Sequence, residues 1–184
     1  MFYSIVEEQV ALIDLNEEEK EVYKEALVNF FDETSTTYQN LNMSQSELEN
    51  NIEEISEEGS SNQVSYIKNV IQENVAINRA SAAISVKIGV NFAGSVINVA
   101  IGAAVGVGVG AIQAFIIKKG KKEAEKMFTK TVISRLKAWG AKKLATSVGV
   151  AVGIAMDYMD IGAQITKQLD KRDKKPNNGW IDID

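Results

Sequence analysis

The sequence predicts an all-α protein: a helical bundle with a glycine-rich hydrophobic helix or hairpin able to enter a membrane. Three observations carry this. Proline occurs once in 184 residues, so long helices can run uninterrupted. Apolar residues recur at helical spacing along much of the chain. Residues 88–117, IGVNFAGSVINVAIGAAVGVGVGAIQAFII, hold 30 positions without a charge, and a dense basic stretch follows them.

Composition narrows the chemistry. Hydrophobic residues make up 45% of the chain, which argues against broad disorder. Cysteine and histidine are both absent. This removes disulfides, thiolate metal sites, the commonest metal ligand and the commonest general base. The expectation is therefore a protein that is not an enzyme, with no cofactor and no metal. The net charge of −5 conceals a division. Residues 1–62 carry 16 acidic and 2 basic side chains, and residues 63–184 carry 9 and 18. An acidic helical N-terminal region or linker (1–62) is thus expected ahead of a membrane-active helical domain (63–184). The front can cover the basic rear electrostatically before action. MFYSIVEEQV lacks a basic start and breaks its apolar run with acids, so it is not a secretion signal of the usual kind.

Taken in order, a short helix is expected over Ile5 to Ile13. NEEEKEVYKEALVNFFDE (16–33) is a second helix, capped by Asn16, with Glu17, Glu18 and Glu19 suited to its first turn. Residues 34–45 are polar and loop-like, Ser44 and Glu47 form a capping-box pattern, and Leu48, Ile52 and Ile55 mark a thin stripe. GSSNQ (59–63) is the best internal boundary. From Val64 the spacing stays helical through Val75, so 61–117 is expected as one very long helix or two joined near Gly89. The 30 uncharged residues would span about 45 Å as helix, against ~30 Å for a bilayer core. Residues 118–143 carry 10 basic and 2 acidic side chains, with Ala124, Phe128, Val132, Leu136 and Trp139 near one face: a basic amphipathic helix. Residues 144–156 are a second uncharged run, too short to span alone. PNNG signals a turn, and Trp180, Ile181 and Ile183 form an alternating tail suited to docking.

The glycines carry the functional question. Gly106, Gly108 and Ala111 fit a G-x-G-x-x-A phosphate fingerprint, but no βαβ unit surrounds them. A soluble core element is the plainer alternative, though six glycines in 30 residues weaken an ordinary helix by ~1 kcal/mol each. A row at every fourth position, Gly94, Asn98, Gly102, Gly106, Gly110 and Ala114, makes a flat groove of the kind helices use to pack in lipid. Ala141, Ala145, Gly149 and Gly153 repeat the row and supply a candidate mate. Lys118, Lys119, Lys121 and Lys122, with Trp139, are the expected headgroup interface. Asp157 and Asp160 are candidates for a lumen lining, for pairing with lysines, or for plain surface charge.

These two glycine-zippered stretches behind a polar helical region, with the ending DKRDKKPNNGWIDID, resemble the C-terminal toxin modules of LXG-type, type VII-secreted antibacterial proteins. The resemblance covers about residues 85–184. A looser, architectural likeness is to colicin-type pore domains. The chain departs from the family at its front, which is too short for an LXG secretion domain. The resemblance implies a secreted pore-forming toxin that depolarises a target cell membrane, self-associates through its glycine faces and is neutralised by a cognate immunity protein. The expected partners are thus a lipid bilayer, further copies and an immunity protein, with no nucleic acid. Two alternatives stand beside it: a non-toxic membrane protein (immunity, phage lysis or accessory), or a soluble helical interaction protein with a buried glycine-rich helix.

Overall fold

The computed structural model describes residues 1–35, 75–80, 83–138 and 143–182. The loop, capping box and thin stripe expected between residues 36 and 58, the GSSNQ boundary, residues 64–74, Trp139, Ala141 and Ile183 lie outside the described residues. The chain is mostly helical, with seven α-helices among those residues: α1 (Phe2–Ala11), α2 (Glu17–Phe31), α3 (Val90–Val105), α4 (Ile112–Lys119), α5 (Lys121–Ala138), α6 (Val148–Ala155) and α7 (Ile161–Asp170). A 3₁₀ turn, Leu144–Ser147, leads into α6. The remainder is a small antiparallel sheet of β1 (Val75–Ala80), β2 (Ala83–Gly89) and β3 (Trp180–Asp182), in that order.

Local chemistry explains most of these elements. Asn16 caps α2 in a full capping box: its side chain accepts from the Glu19 amide, and the Glu19 carboxylate accepts from the Asn16 amide. In α5 the buried residues are Ala124, Phe128, Val132 and Leu136, spaced by four as expected. The mostly helical chain agrees with the all-α expectation, and the small sheet corrects only the expectation of continuous helix through residues 75–89. Val75 begins a strand rather than continuing a helix, and Gly89 joins a strand to α3 rather than one helix to another. Ile84, Val86 and Ile88 alternate at the strand period, a signal obscured by the four-residue spacing that runs from Val64 to Val75. The docking tail is β3, and its Ile181 lies opposite Ile88.

Helix α3 is the centre of the molecule. Twelve of its 16 residues are buried, and α1, α2, α5 and α7 all pack on it. Each fully buried Val or Ile there contributes about 1.5–3 kcal/mol relative to exposure. Phe92 meets Tyr23 and Phe30 edge-to-face at 5.5 and 5.3 Å between ring centroids. Ile5, Val6, Val10, Ala26, Leu27 and Phe30 join the same core, so α1 and α2 cover α3 through apolar packing. The ion pairs Glu7–Lys24 and Asp157–Lys121 each lie within one charge half of the chain. Arg135 reaches across the halves, its guanidinium 5.3 Å from the Phe31 ring centroid.

Candidate functional site

The 30 uncharged residues do not form one helix. Helix α3 ends at Gly106, whose φ of +70° and ψ of 18° are left-handed, and whose amide donates to the Gly102 carbonyl at 3.0 Å. Gly108 follows at φ +81°, and α4 starts only at Ile112. Only glycine adopts both angles without strain. The every-second glycines that imitate a phosphate loop are therefore a helix-breaking turn.

A carboxylate holds that turn from a hundred residues away. Glu8 of α1 accepts from the Val109 amide at 2.9 Å and from the Gly110 amide at 2.7 Å. A side chain on Gly108 or Gly110 would push the Glu8 carboxylate from its seat. A Cβ on Gly108 would fall on Glu8 Oε2, and one on Gly110 would lie 2.6 Å from Oε1. Gly102 closes the other side. A Cβ there would lie 3.1 Å from the Gly108 carbonyl carbon and 3.2 Å from Ile5 Cγ2. Sequence reasoning missed Glu8, because a single acid on an amphipathic helix carries no local sign of a distant partner.

The remaining members of the row have separate roles. A Cβ on Gly94 would lie 3.0 Å from Ala163 Cα, and one on Gly162 would strike the Gly94 carbonyl, so α3 and α7 cross at a small-residue contact. Asn98 fastens the crossing within the folded chain. Its Oδ1 accepts from the Gly162 amide at 2.8 Å, and its Nδ2 donates to Asp160 Oδ1 at 3.0 Å. Asp160 also caps α7 through the Ala163 amide at 2.9 Å, and Asp157 pairs with Lys121 at 2.6 Å. In the folded chain Gly94 and Asn98 thus meet α7, while Gly102 and Gly110 face the turn and α1. Ala114 is exposed on α4. Ala145 is half-buried, a Cβ on Gly153 would meet Glu125 Oε1 at 3.3 Å, and Gly149 faces open space. Lys118, Lys119, Lys121 and Lys122 are all exposed at the corner where α4 meets α5.

The buried polar groups are structural. Ser95 on α3 bonds Tyr23 Oη at 3.0 Å and accepts from Gln9 Nε2 at 3.3 Å. Burial raises the Tyr23 pKa, opposed by that bond to Ser95. Asp170 repeats the Glu8 device, accepting from the Asn178 and Gly179 amides at 3.1 and 3.2 Å and so holding the PNNG turn. Burial likewise raises the Asp173 pKa, while bonds from the Asp182 and Lys175 amides pull it back. An open cleft of about 620 Å³ lies where α3, α7 and the tail meet, with Asn91, Gln164, Lys167, Lys171 and Trp180 along its walls. Among the described residues no group of three or more carboxylates is arranged to hold a metal ion, and no helix is long and apolar enough to cross a membrane.

No protein-family model, curated protein or solved structure matches the chain.

Proposed function

We propose that the chain is a membrane-inserting, pore-forming antibacterial toxin module, secreted in a soluble form and active at the membrane of a target cell. The observation that carries this reading is the state of the uncharged 30-residue segment. Its first two residues end β2, and the rest is folded as two helices around a turn whose Val109 and Gly110 amides donate to Glu8. Helix α3 alone is about 24 Å long, short of the ~30 Å bilayer core, whereas the whole segment wound as helix reaches about 45 Å. Insertion thus proceeds by unlatching Glu8 and winding the turn. In lipid the glycine row and the Ala145, Gly149 and Gly153 row then pack helices closely, within the chain or between copies. A membrane immunity protein that occupies one of these rows would block assembly.

A second reading, a helical interaction protein whose glycine-rich helix is simply its core, is favoured by the α3–α7 crossing, where Gly94 is already spent inside the chain. Gly149→Leu separates the two. A Cβ at this exposed position meets open space, so the thermal midpoint should hold or rise. In lipid it blocks the second row. Wild type should release dye from anionic vesicles and depolarise expressing cells, and G149L should lose most of both. Release unchanged by G149L sinks the zipper. No release by wild type sinks the toxin.

A further inference from the structure

Apart from Met1, Tyr3, Leu12 and Val107, the exposed large apolar side chains lie on α4, on α6 and on the turn before α7. Ile117 and Met159 are 85% and 86% exposed, and Val150, Ile154 and Tyr158 are also open to solvent. Two contacts bring them together. Gln113 Nε2 donates to the carbonyls of Tyr158 and Met159 at 2.7 and 3.4 Å, tying α4 to the turn before α7. Lys121 Nζ reaches Asp157 at 2.6 Å, tying the start of α5 to the same turn. Ile117 lies one helical turn beyond Gln113 and just before Lys121, between these ties. Val150 and Ile154 are exposed one turn apart on α6, the helix that leads into the turn of Tyr158 and Met159. Lys118, Lys119 and Lys122 stand exposed where α4 meets α5.

We propose that this face is the landing surface for an anionic bilayer. The pairing is specific in its chemistry. Protruding Ile and Met side chains gain by entering the apolar boundary below the headgroups, while lysines beside them gain from headgroup charge. A fluid lipid surface requires no shape complementarity from side chains that protrude this far into solvent. Landing on this face sets the α4–α5 corner at the headgroups, with the end of the uncharged segment against the lipid. The inference rests on the membrane reading above but concerns binding, which precedes any pore.

The test is co-sedimentation of the full chain with vesicles of phosphatidylcholine, with and without phosphatidylglycerol, alongside dye release. Two variants are compared with wild type: Ile117→Ser with Met159→Ser, and Lys118→Gln with Lys119→Gln and Lys122→Gln. All five positions are exposed, and circular dichroism checks the fold. Wild type should bind the anionic vesicles and release them as salt rises. The lysine variant should bind on the order of 100-fold more weakly, at about five-fold per charge, and the apolar variant roughly ten-fold more weakly. These losses support the face even if wild type binds without leaking dye, an outcome that removes the pore alone. Undiminished binding by both variants overturns the face while leaving a leaking toxin intact. No wild-type binding to either vesicle overturns face and membrane reading together.

Discussion

At the scale of single residues, a carboxylate facing two successive backbone amides recurs in this chain. Glu8 grips the turn between α3 and α4, and Asp170 grips the turn before β3. Each ionised group satisfies two amides that no helix or strand can serve, and charge-assisted bonds of this kind are the stronger class. Removing the charge by Glu8→Gln leaves one amide facing an NH₂ group and should cost about 1.5–3 kcal/mol in urea unfolding. Gly108→Ala should cost about 1–2 kcal/mol for the left-handed backbone alone, and more for the Cβ that falls on Glu8. The two costs separate in a double-mutant cycle. In a Glu8→Ala background the steric part vanishes and only backbone strain remains. An identical penalty for Gly108→Ala in both backgrounds would place Glu8 elsewhere.

At the scale of elements, the crossing of α3 and α7 is the contact that most constrains the fold. Asn98 is buried and serves both partners, so Asn98→Ala strands the Gly162 amide in the interior and unseats Asp160 from α3. A loss of about 2–3 kcal/mol is expected from urea titration. Asn98→Asp should be worse, because it sets a second carboxylate against Asp160 and offers no donor; a milder effect than alanine would show that the bond to Asp160 contributes little. Much of this architecture was legible in the sequence where the signal is local. The α2 cap, the α5 stripe and the small-residue face of α3 all follow from spacing and side-chain type. Pairing across distance was not legible. Gly94 stands in a visible row of small residues, but spacing cannot distinguish Gly162 from Gly149 as its neighbour in the folded chain. β1 was hidden because Val75 also fits the helical spacing that leads up to it, whereas the alternation of the tail that forms β3 is visible in the sequence. Glu8 and Asp170 were invisible for a related reason. Glu8 acts on a turn far along the chain and Asp170 on the nearby PNNG turn, and backbone amides leave no mark in a sequence.

At the scale of the whole molecule, the described fold and a bilayer-spanning helix exclude each other through the same atoms. The amides of Val109 and Gly110 now donate to Glu8. In a continuous helix they would donate to the carbonyls of Val105 and Gly106, four residues back. Gly106 and Gly108 would also leave their positive φ angles for helical ones. Winding the turn therefore ejects Glu8 and loosens α1 from α3, which exposes the apolar centre the acidic helices now cover. Hydrogen exchange reads this directly. Without vesicles, the amides of residues 92–101 should exchange slowest, since they lie in the buried middle of α3. With anionic vesicles, residues 107–111 should gain protection while residues 2–11 lose it, and the two changes should share one rate because one event causes both. Glu8→Gln should speed that rate without changing its end state. Dye release with the exchange of residues 2–11 and 107–111 left as it is in solution would show that the chain acts on membranes with its latch closed.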